Sequence, residues 1–154
     1  MVGHKEIDPL RNVNAMFSLY HDVTASLPLK HRIGDAISSA GPQCNRPMGM
    51  ETGKIRSQQI SASSEWNINH AARLGRLNQK RAGKAIGAWS AAICNSYQWL
   101  QIYMRVPMKV TSVTTQGRND NTNQWVTRYQ ISYSLDGGHF TTYWSQGSAW
   151  VRLC

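Results

Sequence analysis

The stretch QWVTRYQISYSLDGGHFTTYW, at residues 124–144, decides the fold class of this chain. Apolar, aromatic or β-branched residues occupy every second position from 125 to 135, and mostly polar residues lie between them. This period of two places alternate side chains on opposite faces of a β-strand. Asp136, Gly137 and Gly138 then tolerate the backbone angles of a tight hairpin turn. The alternation resumes at Phe140, so the stretch predicts two antiparallel strands with one buried face each.

Three further segments carry strand patterns: 54–63, 97–104 and 109–116. In the second, Leu100, Ile102 and Met104 fall on one face, which predicts a buried strand. A polar stretch at 64–87 and a run of turn formers at 117–123 predict loops. These patterns indicate an all-β domain over residues 42–154, with core aromatics and aliphatics at Trp99, Trp125, Tyr129, Ile131 and Tyr133.

Residues 1–41 have a different pattern, and we predict an irregular or partly helical N-terminal extension there. Asp8 and Pro9 suit the start of a helix. One apolar stripe would follow, made of Leu10, Val13, Met16, Phe17 and Tyr20. Two interpretations stay open: a weakly ordered extension with one short helix, or an amphipathic helix that binds a partner.

Composition and charge bound the function. The 154 residues suit one domain, and a net charge of +9 favours anionic partners such as lipid headgroups, sulfated glycans or nucleic acid. No apolar run is long enough to span a bilayer. The first residues carry charges where a secretion signal needs an apolar stretch. The three cysteines, Cys44, Cys94 and Cys154, form no CxxC pair, so we expect no structural metal site.

Two function classes are disfavoured. A basic run, made of Arg73, Arg76, Lys80, Arg81 and Lys84, contains no aromatic residue that would stack on bases. We therefore predict no nucleic-acid partner and interpret the run as a solvated loop or an anion-binding patch. The five histidines are scattered, and HExxH, GxSxG and phosphate-binding glycine motifs are absent. We predict that the chain is not an enzyme.

Six motifs in order resemble discoidin domains, also called coagulation factor V/VIII type C domains. They are CNRPMGMETGKIRSQQISASS at 44–64, GRLN at 75–78, GAW at 87–89, QWLQI at 98–102, KVTSVTTQGR at 109–118 and QWVTRYQISYSLDG at 124–137. The resemblance implies an antiparallel β-sandwich of jelly-roll type, outside the cell or at its surface, that binds ligands without catalysis. In the family further strands follow and a closing cysteine forms a disulfide. Because SAWVRLC at 148–154 departs from that pattern, we expect a C-terminally truncated domain, and the disulfide pairing stays open.

The resemblance also implies a ligand site on loops at one end of the sandwich. In the first loop, Trp66 and Ile68 match positions that enter lipid in membrane-binding relatives, with Asn67 and His70 beside them. A tryptophan suits a lipid interface because its ring is apolar while its N–H stays hydrated. The alternative is that Trp66 folds back and caps the core.

The second loop reads Gly-Arg-Asn-Asp and resembles a Gly-Arg-Gly-Asp run in lectin-type discoidins. Arg118, Asn119, Asp120 and Asn121 are therefore candidate sugar-binding residues. The alternative is a polar hairpin loop whose side chains satisfy their own backbone. Asp120 could also help to hold calcium, but it supplies a single carboxylate and calcium needs six to eight oxygens.

The sequence and the resemblance together predict three alternative functions. The first is a module for cell adhesion or surface recognition that binds cell-surface glycans, and the second is a module that binds anionic phospholipid headgroups by peripheral membrane contact. The third is an inactive fragment of a larger extracellular protein.

Overall fold

The computed structural model describes residues 2–20, 47–118, 124–144 and 150–152. Its seven strands are β1 (Val2–Tyr20), β2 (Ile60–Ala62), β3 (Leu100–Ile102), β4 (Met108–Gln116), β5 (Arg128–Ser134), β6 (Thr141–Thr142) and β7 (Trp150–Arg152). Three 3-10 turns, at Ser57–Gln59, Ile68–His70 and Ala72–Leu74, are the helical elements of these residues. The described part of the chain contains no α-helix, so the prediction of an all-β fold is confirmed.

Two groups of strands enclose one core. Strands β2, β3, β1, β5 and β6 lie side by side in that order, β7 also pairs with β5, and β4 pairs with the first part of β1. Val110 and Val113 of β4 pack in the same core cluster as Leu100 of β3 and Tyr129 and Ile131 of β5. This packing of β4 over the other strands is the arrangement of a β-sandwich.

The N-terminal segment corrects one prediction. Instead of a helix at 8–20, the structure has strand β1, which pairs with β4 through residues 2–13 and with β5 through residues 14–20. The ladder with β4 shifts register between Glu6 and Leu10, the interval that contains Pro9, because proline has no N–H to donate. Cross-strand hydrogen bonds therefore outweigh the helical spacing. The predicted boundary at residues 41 and 42 lies outside the described residues and stays a prediction.

Three strand predictions were too long. Residues 97–104 contain only β3, which leaves Tyr97 and Met104 outside the strand. Residues 54–63 contain only β2 and a 3-10 turn, because Gln59 accepts a hydrogen bond from the Arg56 N–H and closes that turn. The alternation on β5 also ends before Leu135, which is exposed, while Ser134 is buried. Ser134 Oγ donates to Asp136 Oδ1 and accepts from the Gly137 N–H, so the hairpin turn already begins at Ser134.

Strand register identifies which loops share one end of the sheet. Ala62, the last residue of β2, lies opposite Leu100, the first residue of β3. The loop that follows β2 and the loop that precedes β3 therefore meet at the same end, which we name the loop end. Phe17 lies opposite both Leu100 and Ile131, whereas Asn14 lies opposite Ser134. The turn after β5, with Leu135, consequently lies at the opposite end.

Candidate functional site

The first site loop, residues 65–70, projects two large apolar side chains into solvent. Trp66 is 64% exposed and Ile68 is 66% exposed. Trp66 therefore does not fold back onto the core, and that alternative is wrong. Burying such side chains would be favourable, so an exposed pair at a loop tip suits contact with a partner surface.

Hydrogen bonds within this loop hold its tip in one conformation. Asn67 Oδ1 accepts from the Asn69 N–H at 2.9 Å and from His70 Nδ1 at 2.8 Å. The carboxylate of Glu65 accepts from the Ala72 N–H at 2.7 Å and so closes the base of the loop. These contacts replace the missing regular structure, because Asn and Glu oxygens satisfy backbone donors that no ladder reaches. Asn67 and His70 thus have a positioning role.

Hydrogen bonds also connect the loop and its base to residues 86–90. The Trp66 N–H donates to the Ser90 carbonyl at 2.8 Å, and Trp89 Nε1 donates to the Ser64 carbonyl at 2.9 Å. Residues 86–90 are themselves held against residues 79–80, which is possible because Gly87 has a φ of +72° and no side chain. A Cβ at Gly87 would lie 2.5 Å from the Gln79 carbonyl oxygen. The GAW motif therefore supports the site loop.

Positive groups surround the apolar tip. Arg73 Nη2 donates to the Ile68 carbonyl at 3.2 Å, which keeps a guanidinium beside the exposed isoleucine. Partial burial, and then the charge of Arg118, lower the pKa of His70. Arg118 therefore lies near the first loop, and its Nη1 donates to Gln124 Oε1 at 2.9 Å across the base of the second loop. Arg73 and Arg118 therefore place positive charge near the apolar tip, and such charge attracts anions.

The structure does not bring all predicted site residues together. Asn119, Asp120 and Asn121 lie outside the described residues, so sugar or calcium binding by the second loop stays a prediction. Within the described ranges, no group of three or more His, Cys, Asp or Glu residues is arranged to hold a metal. No helix in those ranges is long and apolar enough to cross a membrane.

The charge distribution along the chain is one-sided. No Asp or Glu occurs between Trp66 and Asn119, whereas eight Lys and Arg residues do: Arg73, Arg76, Lys80, Arg81, Lys84, Arg105, Lys109 and Arg118. Not all of them are free to meet a ligand, because Arg76 Nη1 donates to the Met50 carbonyl at 2.9 Å and its Nε to the Arg73 carbonyl. Arg76 is thus a structural residue within the basic run.

Sequence reasoning missed a second exposed pair at the loop end. Ile93 is 57% exposed and Tyr97 is 79% exposed, although Tyr97 was predicted to belong to a strand. Cys94, between them, is an exposed free thiol. The missed signal was the Asn95-Ser96 pair, which favours a turn before the strand.

Fold and loops together define a β-sandwich domain whose candidate site lies on the loops of one end. The model of the F5/8 type C domain family matches residues 59–150. The chain belongs to this family, and its resemblance to discoidin domains is confirmed.

Curated relatives agree with the family assignment. Human EGF-like repeat and discoidin I-like domain-containing protein 3 is 38% identical over 107 residues, which cover 65% of this chain and 22% of that protein. Lactadherin of Rattus norvegicus is 36% identical, covering 70% of the chain and 26% of the relative. Coagulation factor V of Sus scrofa is 37% identical, and the match covers 68% of this chain and 5% of that protein. The chain thus matches about a quarter or less of each relative's length. No solved structure was found to match the chain.

Proposed function

We propose that this domain is a non-catalytic binding module that attaches to surfaces of anionic phospholipid, outside the cell or at its surface. The observation that carries the proposal is the exposure of Trp66 and Ile68 on one rigid loop with Arg73 beside them. An aromatic ring with a polar N–H suits the boundary between headgroups and acyl chains. Arginines around it suit the negative potential of the headgroups.

The exposed area of Trp66 sets the size of the expected effect. A tryptophan side chain buries about 150–250 Å² when fully covered. With 64% exposed, the lower of these figures leaves about 100 Å² of Trp66 to be buried on a membrane. At about 25 cal/mol per Å², that area is worth up to about 2.5 kcal/mol. We expect Trp66→Ala to weaken vesicle binding by about tenfold to fiftyfold, at 1.4 kcal/mol per factor of ten.

Co-sedimentation with vesicles of phosphatidylcholine, with and without phosphatidylserine, tests this proposal. Two matched controls exist in the same chain. Trp144 is as exposed as Trp66 but follows β6, at the edge of the sheet farthest from β2, and Leu135 is 63% exposed at the end opposite the loop end. Trp144→Ala and Leu135→Ala should bind like the unmodified chain. Equal losses for Trp66→Ala and Trp144→Ala would contradict a site at the loop tip.

Charge provides a second, separate readout. Exposed charges are screened over about 8 Å at physiological salt, so an electrostatic contribution must shrink as salt rises. Arg73→Gln should lower the affinity for phosphatidylserine vesicles and make binding less sensitive to salt. Trp66→Ala should lower the affinity without changing that sensitivity. If the chain binds neither vesicle type at low salt, the inactive-fragment hypothesis is favoured.

A further inference from the structure

Two turns come together at the end of the sandwich opposite the loop end, which we name the far end. Met16 of β1 lies opposite both Gln101 of β3 and Ser132 of β5, so these two strands flank β1 at the same level. Both strands run antiparallel to β1, so the residues that follow each of them leave the sheet at the same end. With neighbouring strands about 4.8 Å apart, the two turns start about 10 Å from each other.

The two turns expose apolar side chains. Tyr103 and Val106, in the turn after β3, and Met108, the first residue of β4, are all exposed. Met108 lies opposite Val13, which places the start of β4 at the far end as well. Leu135 is exposed in the turn after β5. We name the side chains of Tyr103, Val106, Met108 and Leu135 the far-end surface, and an apolar group of this kind marks an interaction site.

The fold holds the first of these turns in one conformation. The Tyr103 N–H donates to the Gln59 carbonyl at 2.7 Å, and Gln59 Nε2 donates to the Tyr103 carbonyl at 2.6 Å. Met104 is buried in the core, and Arg105 has a φ of +68°, a left-handed conformation that residues with a side chain rarely adopt. The turn therefore needs little ordering when a partner binds, which favours the affinity of its exposed groups.

The two turns carry charges of opposite sign. Arg105 is exposed in the first turn, and the side chain of Asp136 is 58% exposed in the second. Asp136 is held in place because its Oδ1 accepts from the Gly138 and His139 N–H groups. The chain as a whole has a net charge of +9, so copies of it repel each other except where opposite charges meet. The far end supplies both signs beside an apolar surface.

We propose that a second copy of this chain docks on the far-end surface and forms a two-fold dimer. In a two-fold dimer every contact occurs twice with the roles exchanged, so Arg105 of each copy meets Asp136 of the other. The apolar side chains provide the affinity, and the charge pairs fix the orientation. Four apolar side chains cover less area than the standard interface of about 1,600 Å², so the dimer is weak and reversible. An anionic bilayer suits this surface less well, because it repels Asp136.

Such a dimer bridges two phospholipid surfaces, and this part of the inference rests on the proposed function. Docking at the far ends points the two loop ends away from each other, so one dimer does not place both on the same vesicle. Dimerisation therefore leaves the affinity for a single vesicle unchanged, but it joins vesicles into clusters.

Sedimentation velocity of the full chain over a range of concentrations tests the dimer without any lipid. A reductant is present because Cys94 is an exposed free thiol that could otherwise link two copies. The unmodified chain should shift from monomer to dimer between micromolar and millimolar concentration. Val106→Ser with Leu135→Ser should weaken dimerisation by about tenfold or more, because two exposed apolar groups are lost. Its thermal melt at low concentration should change little. A chain that stays monomeric throughout this range overturns the proposal.

Substitutions of Arg105 separate docking from folding. Arg105→Gly removes the charge at a left-handed position that glycine adopts readily, so the fold should not lose stability while the dimer weakens severalfold. Arg105→Lys keeps the charge and should dimerise like the unmodified chain. If Arg105→Gly also dimerises like the unmodified chain, the pairing of Arg105 with Asp136 is wrong.

Light scattering from phosphatidylserine vesicles tests the bridge. The unmodified chain should cluster the vesicles, whereas the Val106→Ser, Leu135→Ser variant should co-sediment with them equally well and leave them dispersed. Trp66→Ala should still dimerise but bind poorly. A chain that dimerises and binds no vesicles overturns the proposed function and leaves the dimer intact. Clustering that persists in the Val106→Ser, Leu135→Ser variant overturns the bridge through the far end.

Discussion

Gly87→Ala is the substitution that most directly tests how the site loop is supported. Gly87 has a φ of +72°, and a Cβ there would lie 2.5 Å from the Gln79 carbonyl oxygen and 2.8 Å from the Lys80 carbonyl carbon. A left-handed conformation costs a residue with a side chain about 1–2 kcal/mol. The overlap adds about 1–3 kcal/mol, since the obstructing atoms are backbone and cannot rotate away. We expect a loss of roughly 2–5 kcal/mol in the free energy of unfolding.

Gly83→Ala separates the two contributions. Gly83 also has a positive φ, +58°, but a Cβ there would meet no atom within 4 Å. It should therefore lose only the backbone contribution of about 1–2 kcal/mol. Urea unfolding followed by tryptophan fluorescence gives both values, provided that the denaturant slope is unchanged. Equal losses for the two variants would refute the steric argument.

The same substitution should affect the function. The Ile86 N–H donates to the Asn69 carbonyl at 3.1 Å, immediately before Gly87. Moving this segment would loosen the loop that carries Trp66. Gly87→Ala should therefore weaken vesicle binding, whereas Gly83→Ala should not.

Three further predictions concern stability and protonation. Glu65→Ala should destabilise the chain by about 1–2 kcal/mol in thermal or urea unfolding because a backbone donor loses its partner, and Glu65→Gln should retain most of that stability. Ile131→Ala, in the core, should cost about 2–5 kcal/mol in urea unfolding, while Leu135→Ala, an exposed site, should stay within about 0.5 kcal/mol. The hydrogen bond and the charge of Asp136 raise the pKa of His139 above 6.5. The pair therefore stabilises the fold most fully below pH 6.5, and this contribution is lost as pH rises through the folded-state pKa. Asp136→Asn should return the pKa of His139, followed by NMR titration, towards 6.5, and an unchanged value would contradict the pairing.

The strands were predictable where alternation alone decides burial. Tyr129 and Ile131 are both 1% exposed, as their period-two spacing on β5 predicted. The prediction failed where side-chain hydrogen bonds compete with the ladder, as at Ser134. The prediction of a helix also failed at β1. The apolar spacing that suggested a helix is a property of that segment alone, whereas strand pairing depends on neighbours more than 80 residues away.

The site was predictable in part for a similar reason. The family resemblance indicated Trp66 and Ile68, but their exposure depends on hydrogen bonds that no local pattern encodes. Tyr97 was missed because its alternation with Trp99 suggests a strand, whereas Asn95 Oδ1 accepts its N–H and makes a turn there. A buried glutamine such as Gln98 gives no periodic signal, yet its hydrogen bonds join Ser64, before the site loop, to Asn95, before β3.

The hydrogen bonds around Gln98 explain why a surface with large exposed apolar groups can bind without first rearranging. Ordering a loop on binding costs conformational entropy and lowers the affinity that its contacts provide. Here that cost is met during folding, since the hydrogen bonds of Gln98 with Ser64 and Asn95 hold the base of the site loop in the free domain. Trp66 and Tyr97 are 64% and 79% exposed, so folding covers only a minor part of each residue. Their apolar area therefore stays uncovered in the folded domain, and the guanidinium of Arg73 beside Ile68 suits the anionic partner proposed above.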